Sequence, residues 1–301
     1  MAFNQVDAAV KNLLDPATHM GPVTLAVSNL AQSVDFYTRV LGMRELQTGA
    51  GADGKSATLG AGETPLLHLR EVPGGRRQPG YSTGLYHVAI LVPTRADLGR
   101  VILSLAREQY PIGGFGDHYV SEAMYLDDPD GIGLEIYRDR PRSEWQWDGD
   151  QVVMGTEMVD VDAVIKSVDD PNAPYTGMPD GTTIGHVHLR VGDIPQARRF
   201  YSDILGFDVI AGLPTALFVS AGRYHHHLGM NIWHSRNAPP VPADAVGMRE
   251  YTILVPTSEA LAQLVTRLEA GGIVYQHEES DVLLNDPWQN AIRLTVEPAS
   301  A

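Results

Sequence analysis

The sequence writes the pentapeptide Ile-Leu-Val-Pro-Thr twice, and this repeat constrains the fold more than any other feature. The copies lie at Ile90–Thr94 and Ile253–Thr257. The segments Val34–Met43, "VDFYTRVLGM", and Arg198–Phe207, "RRFYSDILGF", repeat at the same offset to within one residue. A looser pair, "LDDP" and "LNDP", agrees within a few residues. Independent matches at one offset indicate that a long structural unit has been duplicated.

Each half of the chain divides again into two similar parts. In every part an apolar strand is followed by a turn or proline break and then a helix. Short β-rich runs with turn signals follow each helix. The pattern therefore predicts an α+β chain of four βαβββ modules, near 20–72, 84–140, 183–235 and 247–298. Because one βαβββ sheet leaves a face bare, we expect the modules to pair into curved mixed sheets around shared cavities.

The chain length and the connector predict two domains. A chain of 301 residues suits two domains of about 150 residues each. We predict an N-terminal domain over 20–140, built from the first two modules, and a C-terminal domain over 183–298. The polar, Pro- and Asp-rich stretch 141–182 is then the connector between them.

The charge and the absence of cysteine exclude several functions. A formal charge of −15 repels phosphate backbones and anionic lipids, so we expect neither a nucleic-acid nor a membrane partner. With no cysteine in the chain, thiolate ligands and cysteine nucleophiles are excluded. The first twenty residues lack the basic and apolar segments of a signal peptide. We therefore expect a soluble, cytoplasmic protein.

Four segments carry a resemblance to a known family: "GLYHVAILVPTRADL", "HYVSEAMYLDDPDGIGLEIYRDRP", "IGHVHLRVGDIPQARRFYSDILGF" and "YHHHLGMNIW". The chain resembles the vicinal oxygen chelate superfamily, which includes glyoxalase I, bleomycin-resistance proteins and extradiol catechol dioxygenases. It looks most like the four-module, catechol 2,3-dioxygenase-like branch. The resemblance covers nearly the whole chain and implies the glyoxalase/bleomycin resistance/dioxygenase fold.

The resemblance also implies where metal ligands would lie. In such proteins they come from the start of a module's first strand and the middle of its last strand. These two places, first strand and then last strand, hold Pro22 and His68 in module one and His87 and Glu135 in module two. They hold His186 and Asn231 in module three, and Glu250 and Arg293 in module four. Module two alone has good ligands at both places. Arg293 puts a cation where a metal would be, which argues against a complete second site.

The third ligand depends on which modules share a cavity. If modules two and three pair, His186 joins His87 and Glu135 in a two-histidine, one-carboxylate set, a typical site for Fe(II). If modules one and two pair, His68 must substitute. We favour His186 because it keeps the family's ligand geometry. A single histidine on an apolar strand is usually a core residue, but an unpaired Glu135 in "GIGLEIY" would be costly to bury.

Further candidate residues surround this set. In extradiol enzymes a tyrosine placed like Tyr125 contacts the substrate oxygen, although an ordinary strand tyrosine is an equal alternative. His118, on a Gly-rich loop, is a candidate proton shuttle or a surface histidine. If the "HHH" run is a strand, His225 and His227 share one face and His226 takes the other. We therefore assign the first two, His225 and His227, to the pocket lining, with one as an acid–base residue. By the same alternation, the histidine two residues after His186, at position 188, is a spare ligand or a supporting partner.

The function predicted from this resemblance is extradiol ring cleavage of a catechol-type aromatic diol with O2, in aromatic catabolism. Fe(II) is the first choice of metal, with Mn(II), Ni(II) or Zn(II) as alternatives. Two other functions stay open: a glyoxalase- or epimerase-type reaction on a metal, and sequestration of a small molecule without catalysis. The partners expected are a small aromatic substrate and O2, and a homodimer is allowed.

Overall fold

The computed structural model describes residues 13–51 and 54–298. The signal-peptide prediction concerns the start of the chain, of which residues 1–12 lie outside the described part. None of the helices in the described part combines the length and the apolar composition needed to cross a bilayer.

The first half of the chain contains two βαβββ modules. Module one consists of β1 (His19–Val27), α1 (Leu30–Asp35), β2 (Arg44–Gly51), β3 (Gly54–Ala61) and β4 (Thr64–Glu71). A π-helical turn, Phe36–Val40, extends α1. Module two consists of β5 (Gly84–Leu91), α2 (Arg95–Arg107), β6 (Gly114–Asp117), β7 (Ser121–Asp127) and β8 (Gly133–Asp139).

The connector and the second half follow. The connector holds a 3₁₀ turn (Arg142–Glu144), the short strands β9 (Trp147–Asp148) and β10 (Gln151–Val152), and helix α3 (Val161–Lys166). Module three consists of β11 (Thr183–Arg190), α4 (Ile194–Ala197) with its π-helical extension (Arg198–Ile204), β12 (Asp208–Leu213), β13 (Ala216–Ser220) and β14 (Leu228–Asn231). Module four consists of β15 (Gly247–Val255), α5 (Ser258–Ala270), β16 (Tyr275–Glu278), β17 (Asp281–Asn285) and β18 (Ala291–Val296).

The four modules form two eight-stranded mixed sheets, as predicted. The first sheet has the order β16-β17-β18-β15-β1-β4-β3-β2 and joins module four to module one. The second sheet has the order β12-β13-β14-β11-β5-β8-β7-β6 and joins module three to module two. In both, the first strands of the two modules pair antiparallel at the centre. Each sheet thus combines one module from each half, while the predicted domain boundaries at 140 and 183 stay a prediction.

The repeated pentapeptide ends a strand and begins a helix. Its first residues lie in the central strands β5 and β15, where Ile90 and Ile253 are fully buried in the main core. Its proline cannot donate to a sheet and breaks the strand. Its threonine is the N-cap: the side-chain oxygens of Thr94 and Thr257 accept from the backbone N–H groups of Asp97 and Ala260, which satisfies helix donors that have no other partner.

The repeated Phe-Tyr motif and the repeated Asp-Pro turn are bonded to each other. The buried hydroxyl of Tyr37 in module one donates to Asp128 in module two at 3.1 Å. The buried hydroxyl of Tyr201 in module three donates to Asp286 in module four at 2.7 Å. These bonds join modules within each half of the chain, whereas the sheets join modules across the halves. The two sets of contacts together bind all four modules into one structure.

We expect Tyr37→Phe and Tyr201→Phe each to lower the free energy of unfolding by about 1–3 kcal/mol, because each removes one hydrogen-bond donor from a buried carboxylate that keeps only its backbone and amide donors. Burial raises the pKa of Asp128 to about 6 even with this bond, so the carboxylate has little solvent to replace it. Chemical denaturation measures the change, with Tyr275→Phe as the control, because that hydroxyl bonds a glutamate at the surface. Equal stabilities for Tyr275→Phe and the two buried variants would contradict the prediction.

Candidate metal centre

The strand register of the second sheet brings the predicted ligands together. Tyr125 on β7 lies opposite Glu135 on β8, Glu135 is in register with Ala89 on β5, and Ala89 lies opposite His186 on β11. His87 is two residues before Ala89 on β5, so its side chain lies on the same face. Because Ala89 has only a methyl group, the row leaves space between the carboxylate and the imidazole. The centre therefore spans modules two and three, as predicted for His186, and His68 lies in the other sheet.

The three side chains converge on one point. His87 Nε2 lies 3.0 Å from Glu135 Oε2, and His186 Nε2 lies 3.2 Å from the same oxygen. One ligand atom from each residue lies within 4.8 Å of the other two. The exposed fractions of His87, Glu135 and His186 are 6%, 3% and 2%. Among the described residues, this is the one cluster of three or more histidine, aspartate or glutamate side chains with such spacing.

The hydrogen bonding of these groups fits a divalent metal. The buried Nε2 of His87 has no hydrogen-bond partner in the described structure, although it lies beside the Glu135 carboxylate at ion-pair distance. Buried polar atoms are otherwise almost always bonded, so this nitrogen needs a partner. Two imidazoles and one carboxylate are the facial set that holds Fe(II) and leaves other coordination positions open.

The charge states fit as well. Burial lowers the pKa of His186 to about 4, despite the neighbouring carboxylate, so its imidazole is neutral near pH 7. Burial opposes ionisation of Glu135, but His186 and His87 outweigh it and hold the pKa of its carboxyl well below the usual range. A metal requires a neutral imidazole and an ionised carboxylate. His186 and Glu135 are in those states near neutrality.

Tyr125 and His118 form a bonded pair beside the centre. The Tyr125 hydroxyl lies 2.6 Å from His118 Nε2, and the Tyr125 ring is 5.7 Å from the His87 ring. His118 Nδ1 lies 2.8 Å from the carbonyl oxygen of Gly155 in the connector. A carbonyl can only accept, so Nδ1 carries the proton, and Nε2 of the neutral ring accepts from the hydroxyl of Tyr125. Burial and the Glu135 carboxylate raise the pKa of Tyr125, so its hydroxyl stays protonated.

The histidine run does not follow the predicted strand alternation. Strand β14 begins only at Leu228, so His225, His226 and His227 lie in the irregular segment before it. His226, which alternation placed on the far face, lies closest to the centre, with its ring 4.1 Å from the His186 ring. The prediction for His226 is therefore wrong, because alternation applies only to extended, paired backbone.

The other two histidines of the run have partners of their own. His225 Nε2 donates to Asp139 Oδ1 at 2.9 Å, and its ring is 6.0 Å from the His186 ring. His227 Nδ1 accepts from the backbone N–H of Ala221, and burial lowers the pKa of His227 to about 3. His225 thus borders the centre, while His227 contacts the backbone of the hairpin. An acid–base role for either residue stays a prediction.

An aromatic wall that the sequence did not reveal continues from the centre. The ring of His188, directly opposite His87, packs against His87, Tyr86 and Trp233 at 4.9, 5.1 and 5.9 Å. Asn231, at the remaining ligand-equivalent place, donates to His188 Nε2 at 3.1 Å. Tyr86 has no partner in the register of β5 and β11, because a β-bulge lies there. The bulge brings the Tyr86 ring beside that of His87, at 5.3 Å.

The first sheet has a different arrangement at the corresponding places. Arg293 forms ion pairs with Glu250, Glu278 and Asp281, each at 2.8 Å. His68 bonds to a threonine hydroxyl. The guanidinium therefore supplies the positive charge at these places in this sheet, and the expectation that Arg293 argues against a complete second metal site stays a prediction.

Comparison with known proteins agrees with the fold. The model of the Glyoxalase/Bleomycin resistance protein/Dioxygenase superfamily matches residues 19–136 and 183–289. The chain is 43% identical to catechol-2,3-dioxygenase of Bacillus subtilis (strain 168), over 91% of this chain and 95% of that protein.

Solved structures show the same architecture. One from Bacillus subtilis, provisionally named a dioxygenase, superposes with a TM-score of 0.65 at 14% identity and covers 94% of this chain and 86% of that one. Glyoxalase I from Zea mays superposes with a TM-score of 0.57 at 15% identity, over 92% of both chains. At these identities the likeness concerns the fold alone. With the family match and the 43% identical relative, the chain belongs to the Glyoxalase/Bleomycin resistance protein/Dioxygenase superfamily.

Proposed function

We propose that the protein is an extradiol dioxygenase that cleaves the ring of a catechol-type diol with O2. The observation that carries the proposal is the buried set of His87, Glu135 and His186, which meet at one point with a histidine nitrogen left unbonded. The 43% identity to a catechol-2,3-dioxygenase over most of both chains supports the same reaction. The proposed setting is the catabolism of aromatic compounds in the cytoplasm.

The metal we propose is Fe(II), with Mn(II), Ni(II) or Zn(II) as alternatives. His87, His186 and Glu135 would hold it, and when bound it would supply Lewis acidity and coordination positions for the diol oxygens and O2. The surrounding strands bury all three ligands. They thereby keep bulk water from the reacting groups and fix the orientation of the ligand side chains.

Proton transfer is the task we propose for Tyr125 and His118. The Tyr125 hydroxyl is beside the ligand carboxylate and donates to His118 Nε2. His118 is half-buried on the loop after β6, so it can exchange protons with solvent. A diol proton passed to this pair would leave the buried centre through His118 Nε2. The His226 ring packs against the ring of the ligand His186.

A glyoxalase-type reaction has less support from the residues present. Such an enediolate reaction calls for a second carboxylate as a base. The remaining ligand-equivalent place holds Asn231, whose amide is bonded to His188. A carboxamide cannot act as that base, and the ligand cluster contains one carboxylate.

Oxygen uptake tests the reaction directly. Protein purified without air and supplied with Fe(II) should consume O2 and form a yellow, ring-opened product from catechols. The panel should include unsubstituted, alkyl, aryl and carboxylate-bearing catechols. Absence of uptake across this panel, with the metal bound, would reject the proposal in favour of another reaction of the superfamily.

Replacing Tyr125 with phenylalanine should lower kcat for ring cleavage by about 100-fold, the lower end of the range for a lost acid–base group. The metal content should stay unchanged, because the phenol is not among the three ligands. His118→Gln should lower kcat to a similar extent. Combining the two changes should cost little more than either alone, since both act through one hydrogen bond. Fully additive losses would show that the two residues act separately.

A further inference from the structure

Arg190 lies on the same face of β11 as His186 and His188. Alternate residues of a strand share a face, and four residues span about 13 Å. The guanidinium carbon of Arg190 lies 5.6 Å from the centre of the Tyr86 ring. That ring in turn packs against His87 and His188. An aromatic wall thus runs without interruption from the ligand centre to the guanidinium.

The charge of Arg190 has no ion-pair contact within the described part of the chain, and the Asp127 carboxylate acts on it only from a distance. No described carboxylate forms an ion pair with it, and its buried Nε has no hydrogen-bond partner there. Burial accordingly lowers the pKa of Arg190. The Nε of Arg267 is also unbonded, but the terminal nitrogens of Arg267 and Arg249 donate to backbone carbonyls, and Arg293 has three carboxylates. A half-buried cation with neither an ion pair nor a carbonyl acceptor among the described residues is costly, so Arg190 has the properties of a binding group.

The surroundings of Arg190 favour an anion. Arg190 lines a cleft of about 650 Å³ together with Trp233, His234 and Arg236. Within the described structure no acidic side chain lines this cleft, although the whole chain has a formal charge of −15. The exposed indole of Trp233 lies between the cleft and the His188 ring. The cleft therefore joins the aromatic wall and presents positive charge at its far end.

We propose that Arg190 binds a carboxylate on the substrate, so that the substrate class is catechols with a short, anionic side chain. This inference rests on the proposed ring cleavage, because it places the diol at His87, Glu135 and His186. The aromatic ring of the substrate would pack along Tyr86 and His188, and its side chain would lead to the guanidinium. Arginine suits this task because its planar donors match both oxygens of a carboxylate.

The test compares (dihydroxyphenyl)propionates, in both positional isomers, with their methyl esters. For the preferred isomer, kcat/KM of the wild type should favour the acid over the ester by about 10- to 100-fold, mainly through KM. Arg190→Gln should bring that ratio close to one, and Arg190→Lys should keep part of it. Arg198→Gln, which removes an exposed charge on another element, should keep the full ratio. A wild-type ratio near one, or an Arg190→Gln variant with the full ratio, would overturn the inference.

A binding measurement separates this inference from the proposed reaction. Calorimetric titration of metal-free protein with the same acid and ester does not depend on ring cleavage. Wild-type protein should bind the acid more tightly, and Arg190→Gln should bind both alike. If no catechol is cleaved but this difference appears, the ring-cleavage proposal fails and the anion site stands. If catechols are cleaved and neither measurement distinguishes acid from ester, the anion site fails alone.

Discussion

Replacing Glu135 with glutamine should remove both the metal and the activity while the protein stays folded. The amide keeps the shape of the side chain but loses the charge that a divalent ion requires. We expect the metal content to fall from about one ion per chain to nearly none, since two imidazoles alone are an incomplete facial set. Ring cleavage should fall at least about 1000-fold, because the metal supplies several kcal/mol of stabilisation to the reaction.

Glu250→Gln is the matched control for this change. Glu250 opens the module-four strand as His87 opens the module-two strand, but it is paired with Arg293 in the other sheet. Its loss should leave the metal content and the activity within about twofold of the wild type. Metal analysis after anaerobic purification measures the metal content of both variants. Thermal unfolding with added Mn(II) then measures whether each variant binds the ion.

Thermal unfolding makes the metal test independent of catalysis. An ion at a thousand times its Kd stabilises the folded state by about 4 kcal/mol. The wild type and Glu250→Gln should therefore unfold at a higher temperature with the ion than without it, and Glu135→Gln should not respond. A Glu135→Gln protein that retains a full complement of metal would show that the carboxylate is not a ligand.

The sequence was sufficient to predict the modules because their signals are local. The threonines of the pentapeptide cap α2 and α5, and the strands before them end in apolar residues. Pairing of modules two and three was harder to predict, because any pairing would cover the bare faces. The ligand chemistry decided it: His186 offers an imidazole at the place where Pro22 offers none.

The rest of the centre depends on tertiary register, which has no local signal. One extra residue in a strand makes a bulge; the isolated Gly185 within β11 is a weak sign of one, but nothing in the composition around Tyr86 marks the other. His226 reaches His186 because β14 starts two residues later, which its pairing with β13 determines. The sequence of the histidine run, His225–His227, is equally compatible with a strand and with an irregular segment. The charge of Arg190 was likewise visible in the sequence, but its lack of a partner required the structure.

Gly185→Ala is the second change for which we expect a large effect. Between Ile184 and His186 the register with β5 skips Gly185, which is therefore the extra residue of a bulge. A Cβ atom at this position would lie 1.7 Å from the Tyr137 hydroxyl oxygen and 2.7 Å from the ring carbon that bears it. Neither separation is tolerable, so the strand or the tyrosine must move.

The expected result is a loss of both stability and metal affinity. Tyr137 is fully buried and bonded to the Tyr224 hydroxyl at 2.7 Å, so it cannot move without breaking that bond. Forcing a methyl group into such packing costs about 1–3 kcal/mol. If the strand moves instead, the next residue, His186, is displaced from Glu135, and metal affinity should fall about 10- to 100-fold, as when the support of a ligand is lost. Chemical denaturation and metal titration measure the two effects.

Two further variants show whether the overlap with Tyr137 is the cause. Gly212→Ala, on β12 with no atom within 4 Å of the added methyl group, should leave stability and metal binding within about 0.5 kcal/mol of the wild type. Tyr137→Phe removes the nearest atom, so in combination with Gly185→Ala it should cost less than the sum of the two single changes. Simple additivity would mean that Gly185 is required for some reason other than its contact with the tyrosine. Metal affinity that recovers with stability in the double variant would link the bulge to the position of His186.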